Sequence, residues 1–210
     1  MHNFNTDNNK YKILFASQRE YFHSQDGLFT VGPIGAETGE NFRSIFPEMI
    51  LVGRLGKQRN AKQAVPAKNF YLMELNLRSP KILFNFFIIS YRIFNILKNI
   101  DGVIVRAGGL GTLVAFISIM MRKPTGIEVG GCVFNSLWNY GNIFGKIFAY
   151  PSFFLRRFLL SRADKVQMVT QEYLQKRYIH TSKIKECIGI SNVSIRNKHK
   201  SVLVERKKKN

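Results

Sequence analysis

Residues 102–122 read GVIVRAGGLGTLVAFISIMMR. Gly102–Arg106 is a brief Val/Ile run without polar alternation, the pattern of a strand buried on both faces. From Leu110 to Arg122 the apolar residues continue for the length of a helix. Glycines 108, 109 and 111 lie between the two. A strand that passes through a glycine cluster into an apolar helix is half of a strand-helix-strand unit, whose next strand returns to the same sheet.

The same rhythm recurs on either side. Lys12–Ser17 (KILFAS), Glu48–Leu55 (EMILVGRL) and Phe70–Leu75 (FYLMEL) read as earlier strands, and Thr125–Val129 (TGIEV) and Lys165–Thr170 (KVQMVT) as later ones. Helices are expected at about Glu40–Phe46, Pro80–Asn99, Ile143–Arg162 and Gln171–Tyr178. The class is α/β: an open parallel sheet with helices on both faces. Gly56–Lys68 carries four cationic residues, Pro66 and no period, and reads as an exposed loop. Beyond Ile195 there is little to bury, and 196–210 reads as a basic linker or tail.

The chain has 210 residues, enough for one sizeable core. Lys and Arg total 32 against 13 Asp and Glu, a formal charge of +19. Such a surplus calls for an anionic partner: nucleic acid, an acidic membrane surface or a phosphorylated ligand. Two cysteines, Cys132 and Cys187, exclude a disulfide framework and fit a reduced compartment. The start carries no secretory pattern, and the apolar run Ile82–Leu97 is broken by Asn85, Ser90, Arg92 and Asn95. A buried or interfacial helix is expected there, not a spanning one.

Four stretches are candidates for chemistry. The Gly108–Gly111 turn would let a ligand approach backbone N–H groups at a helix start; a tight turn that needs glycine only for its angles explains it as well. No GxGxxG or GK[ST] is present, so dinucleotide and nucleoside-triphosphate chemistry lack support. Asp26–Gly35 (DGLFTVGPIG) is a glycine-punctuated loop after the first strand, suited to a hydroxylated ligand or to a plain surface turn. In Ile127–Gly141 (IEVGGCVFNSLWNYG), Glu128 ends a strand, while Asn135 and Trp138 offer a polar group and an apolar wall. No second carboxylate lies nearby in sequence to pair with Glu128. Ile143–Arg162 mixes Phe, Leu and Ile with Lys146, Arg156 and Arg157, the composition of a helix lying on anionic lipid or of a core helix with a charged edge. Pro151 is expected to break or kink it, with Ser152 capping the second piece. The four histidines are scattered, so no metal site is indicated; there is no GxSxG elbow and no nucleic-acid-reading motif.

In order, these pieces resemble the N-terminal half of a family 4 glycosyltransferase of the two-Rossmann-domain, GT-B type. KILFAS with its glycine-rich loop, VIVR with its turn and helix, KPTGIEVGG (123–131) and NSLWNYG (135–141) carry the likeness. The most specific stretch is RADKVQMVTQEYLQKRY (162–178), and ISNVSI (190–195) resembles the segment where the chain leaves the first domain. The resemblance covers about residues 11–195 and implies a Rossmann-like acceptor-side domain. It implies transfer of a sugar from a sugar nucleotide to a lipid-linked or saccharide acceptor in capsular or other surface polysaccharide synthesis, with no cofactor. Asp26, Gly27, Gly32, Arg106, Gly108, Gly109, Glu128, Gly131, Asn135 and Trp138 are expected to face the acceptor-side cleft. Lys146, Arg156 and Arg157 are expected to rest on the inner face of the cell membrane, which makes a cytoplasmic, peripheral protein. Gly130 stands where many members have a histidine, and the second, donor-binding domain is missing. The chain is therefore expected to be weak or inactive alone, either a truncated remnant or one subunit of a split enzyme with a separately encoded donor half. The competing expectation is a non-catalytic basic protein on membrane or nucleic acid.

Overall fold

The computed structural model describes residues 11–24, 27–30, 45–56, 63–65, 69–73, 82–140, 142–170, 172–178 and 187–189. Seven strands among them are mutually parallel: β1 (Ile13–Ser24), β3 (Ile50–Leu55), β5 (Asn69–Met73), β6 (Gly102–Arg106), β7 (Thr125–Val129), β8 (Lys165–Met168) and β9 (Cys187–Gly189). Their order across the sheet is β5-β3-β1-β6-β7-β8-β9, with the chain reversing direction beside β1. This is the open Rossmann-like arrangement, and its crevice lies outside the strand ends where the order reverses, between β1 and β6. The helices are α1 (Ile82–Lys98), α2 (Gly109–Met120), α3 (Val133–Tyr140), α4 (Ile143–Arg162) and α5 (Tyr173–Tyr178).

Successive residues of β1 point to opposite faces and so enter two cores. Leu14 and Ala16 join Val103, Val105, Ile127, Val129, Val166 and Met168 beneath α1, α2, α4 and α5. Phe15 joins Tyr21, Leu28, Met49 and Leu51 on the other face, where Phe46 packs beside the helical Ile45. α1 reaches the first core through Ile89, Ile93 and Leu97, one residue per turn. α2 does so through Leu110, Val114 and Ala115. Two buried hydroxyls at the end of α2 satisfy each other, Ser118 Oγ and Thr125 Oγ1 at 2.7 Å.

Several expectations need correction. β1 runs on to Ser24: beyond a register shift it pairs Glu20 and Tyr21 with Arg54 and Leu55, and then turns back antiparallel on β2 (Gly27–Thr30). Part of the expected glycine loop is thus a strand. β4 (Gln63–Val65) pairs antiparallel with β2, so the expected 56–68 loop contains a strand as well. The polar NSLWNY run, read as ligand-binding, is helix α3. α4 is continuous through Pro151 and starts at Asn142, whose side chain accepts from Gly145 N at 3.0 Å. The proline removes one backbone bond, the one to the carbonyl of the exposed Ile147. Asp26, Gly32, the ISNVSI segment and the 196–210 tail lie outside the described residues.

α4 is apolar on both sides. Ala149, Leu159 and Leu160 face the core, while Ile143, Phe144, Ile147, Phe148 and Phe154 are each more than half exposed. Phe87 and Tyr91 on α1 and Met120 on α2 are exposed to the same degree, and α2 packs against both α1 and α4. Among the described residues no helix is long and apolar enough to cross a membrane.

Candidate functional site

A cavity of ≈ 720 Å³ opens beside the carboxyl ends of β1, β6 and β7, walled on one side by α4. Its lining includes Gln18, Arg106, Gly108, Gly109, Thr112, Gly130, Gly131, Ser136, Leu137, Ser152, Leu155 and Arg156. It lies at the topological switch point, where open parallel sheets bind their ligands.

The floor is the turn from β6 into α2. Gly108 precedes the helix in extended conformation. Gly109 N donates to Gln18 Oε1, which ties the turn to the bulged part of β1. A Cβ on Gly111 would stand 2.2 Å from the Arg106 carbonyl oxygen, so only glycine lets α2 start this close to the strand. At Gly130 and Gly131, by contrast, an added Cβ meets nothing within 4 Å. These two glycines leave the cavity mouth open.

Arg106 and Glu128 sit opposite each other at the ends of β6 and β7. Arg106 Nε donates to Glu128 Oε2 at 2.9 Å and Nη2 to Oε1 at 2.6 Å, a two-pronged pair. Glu128, expected to reach a ligand, is buried and spent on this strut. Arg19 lies close enough to feel both charges; burial chiefly, and then Arg106, lower its pKa.

Arg156 overturns its expectation. It does not face a membrane: it is 5% exposed, lines the cavity and donates from Nη2 to Thr112 Oγ1 at 3.3 Å. Its position on α4, one residue from Arg157, turns it inward with Leu159 and Leu160. Burial lowers its pKa, against the opposing pull of Tyr178 and Cys132. Among the described residues no carboxylate stands within ion-pair distance of it. Lys146 lies on the outside, over the Trp138 ring at 5.9 Å, and Arg157 is half-buried.

Asn135 and Trp138 do not join the cavity. Asn135 Nδ2 donates to Tyr173 Oη at 2.8 Å, and Trp138 stacks on Phe134 with centroids 5.4 Å apart. On an eight-residue helix, the face that meets the cavity is that of Val133, Ser136 and Leu137. Gly27 sits in β2. Behind the site Tyr178 Oη accepts from Val133 N at 3.1 Å and donates to Cys132 Sγ at 3.7 Å; burial pushes its pKa up to about 12. Sequence reading did not single out Gln18, Thr112, Ser152 and Leu155 as ligand-facing, since they carry no motif; Ser136, within the stretch read as ligand-binding, does line the cavity. No cluster of metal-ligating side chains occurs among the described residues.

No family model matches the chain. Over 188 residues it is 29% identical to Protein CapJ of Staphylococcus aureus, an alignment covering 87% of this chain and 47% of CapJ. The chain thus spans about half the length of that curated relative. A crystal structure of a UDP-N-acetylglucosamine 2-epimerase superposes with a TM-score of 0.52 at 12% identity, over 86% of this chain and 48% of the other. HepE from Anabaena, solved in complex with UDP and glucose, superposes with a TM-score of 0.51 at 14% identity, over 94% and 50%. The fold is one Rossmann-like half of a GT-B arrangement. Two cations line the crevice in this half, Arg106 and Arg156, the first of them paired with Glu128.

Proposed function

We propose that the chain is the acceptor-side half of a sugar-nucleotide-dependent glycosyltransferase of capsular or surface polysaccharide synthesis. The observation that carries this is the cationic cavity at the switch point, roofless on the side where Gly130 and Gly131 leave it open. The likeness to CapJ supports the capsular setting. Such a half binds and orients an acceptor; its reaction needs a donor-binding half, and holding the two substrates together supplies most of the rate. The described side chains offer electrostatic positioning rather than proton transfer, since Glu128 is held by Arg106.

The test is to mix the purified chain with a separately expressed donor half of CapJ, supply labelled UDP-sugars and bacterial membranes, and count label in the lipid extract. Transfer is expected with both pieces present and not with either alone. Robust transfer by the chain alone refutes the split reading, and no transfer from any sugar nucleotide refutes the glycosyltransferase reading.

The second element of the proposal is a peripheral position on anionic lipid, through the outer face of α4. A helix apolar all round needs a covering on both sides, and Lys146, Arg157 and Arg162 flank the exposed one. Each buried Phe or Ile contributes roughly 1.5–3 kcal/mol. Ile147→Asp with Phe148→Asp is therefore expected to weaken binding to anionic vesicles by at least ~100-fold in a flotation assay. Wild-type chain that prefers duplex DNA to such vesicles, with a steep salt dependence, refutes the membrane position.

A further inference from the structure

We infer that a second cavity, at the end of the sheet opposite the switch point, binds a neutral saccharide. Its volume is ≈ 360 Å³, within the range of small-ligand pockets. Lys12, Ile50 and Ile100 place it beside the amino ends of β1, β3 and β6, and Asn95, Ile96 and Asn99 bring the end of α1 to its wall. Gln18, at the switch-point cavity, lies six residues along the chain from Lys12, so the two cavities are roughly 20 Å apart. The inference therefore goes beyond the proposed transfer reaction, which uses the other end of the sheet.

Five polar side chains line this cavity: Lys12, Glu48, Tyr71, Asn95 and Asn99. Among the described residues, none of the five makes a side-chain hydrogen bond or ion pair within the protein. Lys12 is anchored through its main chain, whose N–H donates to Asp101 Oδ2 at 2.8 Å, so its ammonium is left for the cavity. Asn95 and Asn99 stand one turn apart at the end of α1. Asparagine weakens a helix interior, and its usual use at a helix end is a left-handed backbone. Among the described non-glycine residues only Arg122 has a positive φ, so the backbone needs an asparagine at neither position.

The donors and acceptors select the ligand. Lys12 only donates, ionised Glu48 only accepts, and the two amides and the phenol do both. An anion is repelled by Glu48 and a cation by Lys12. A zwitterion addresses those two alone, through ion pairs that lie in water and contribute little. A hydroxyl both donates and accepts, so a polyol serves all five groups. The remaining lining is apolar: Ile50, Ile96 and Ile100, beside the ring of Tyr71, which is 47% exposed. Such a wall suits the C–H face of a pyranose, with its hydroxyls turned to the polar groups.

The experiment is an NMR titration of the whole ¹⁵N-labelled chain with glucose, galactose, N-acetylglucosamine and cellobiose, and with glutamine and inorganic phosphate as charged probes. At least one saccharide is expected to shift the side-chain amide signals of Asn95 and Asn99 and the main-chain signals of Tyr71 and Ile100, saturably. Asn95→Ala with Asn99→Ala is expected to weaken that binding by about 30-fold, the loss of two hydrogen bonds. Tyr71→Ala is expected to weaken it by about 10-fold. Because these side chains bond nothing within the protein, the melting temperature is expected not to fall, which separates lost binding from lost folding. No saturable shift at these residues with any of the saccharides overturns the site, and so do shifts that survive both variants. Saccharide shifts confined to Thr112 and Gly131 overturn it too, and give the sugar to the switch-point cavity. Tighter binding of glutamine or phosphate at Asn95 and Asn99 overturns the neutral ligand. None of these results touches the two-piece transfer assay, so failure of this site and failure of the glycosyltransferase reading remain distinct.

Discussion

Glu128→Ala is expected to destabilise the chain by about 3 kcal/mol, the lower end of the range for breaking a buried ion pair. The mechanism is the cation left behind. The Arg106 guanidinium then stands beside Arg19 with the shared counter-charge gone. The cost stays at the lower end because the Arg106 side chain is 26% exposed and borders the cavity, so water recovers part of it. For a chain of this size the loss corresponds to about 6–12 °C in melting temperature. Replacing both partners at once, Arg106→Met with Glu128→Leu, is expected to restore most of the stability, since two apolar groups leave no orphaned charge. Urea unfolding of the two single variants and the double variant measures the coupling. A Glu128→Ala midpoint equal to the parent's refutes the strut.

Gly111→Ala is expected to cost about 3 kcal/mol or more, at the upper end for overpacking a tight site. The added methyl meets the Arg106 carbonyl oxygen at 2.2 Å and its carbon at 3.1 Å, and the Ala16 oxygen lies at 3.8 Å. All three are main-chain atoms of β6 and β1, so no rotamer change relieves the contact. α2 has to lift from the sheet, and Leu110 and Val114 leave the core with it. Gly131→Ala is the matched control, with nothing within 4 Å of its new methyl and an expected effect within about 0.5 kcal/mol. Thermal melts of the two variants side by side decide the matter; equal melting temperatures refute the close-approach argument.

The contrast between those two glycines marks what the sequence carries. Gly111 and Gly131 both stand in glycine clusters that follow a strand, and only the three-dimensional approach of a carbonyl separates them. The parallel core was legible because Val103 and Val105 enter one core while Ile104 between them packs against the other, so the β6 run carries no polar alternation. β2 and β4 were not, because strands of four and three residues leave too little pattern to outweigh a turn or loop. Asn135 and Ser136 drew a ligand reading, yet the backbone there is a short helix held by aromatic stacking of Phe134, Trp138 and Tyr150. The misassignment of Arg156 has a sharper cause. A helix that is apolar all round has no hydrophobic phase, so nothing in the text of α4 tells which of the adjacent Arg156 and Arg157 points inward. Burial of Ala149, Leu159 and Leu160 decides it, and that is knowledge of the sheet beneath.

The strand order also sets a timetable for synthesis. β1 lies inside the sheet, and its parallel partners are β3 and, some ninety residues later, β6. At a translation rate of about 5–20 residues per second, the β6 side of β1 stays unpaired for roughly 5–20 s after it leaves the ribosome. During that interval Leu14, Phe15 and Ala16 belong to an open apolar edge, the kind that other nascent chains join. The demand this fold places on chaperones therefore falls early, on its first strand, and lifts when Val103–Val105 arrives to close the gap.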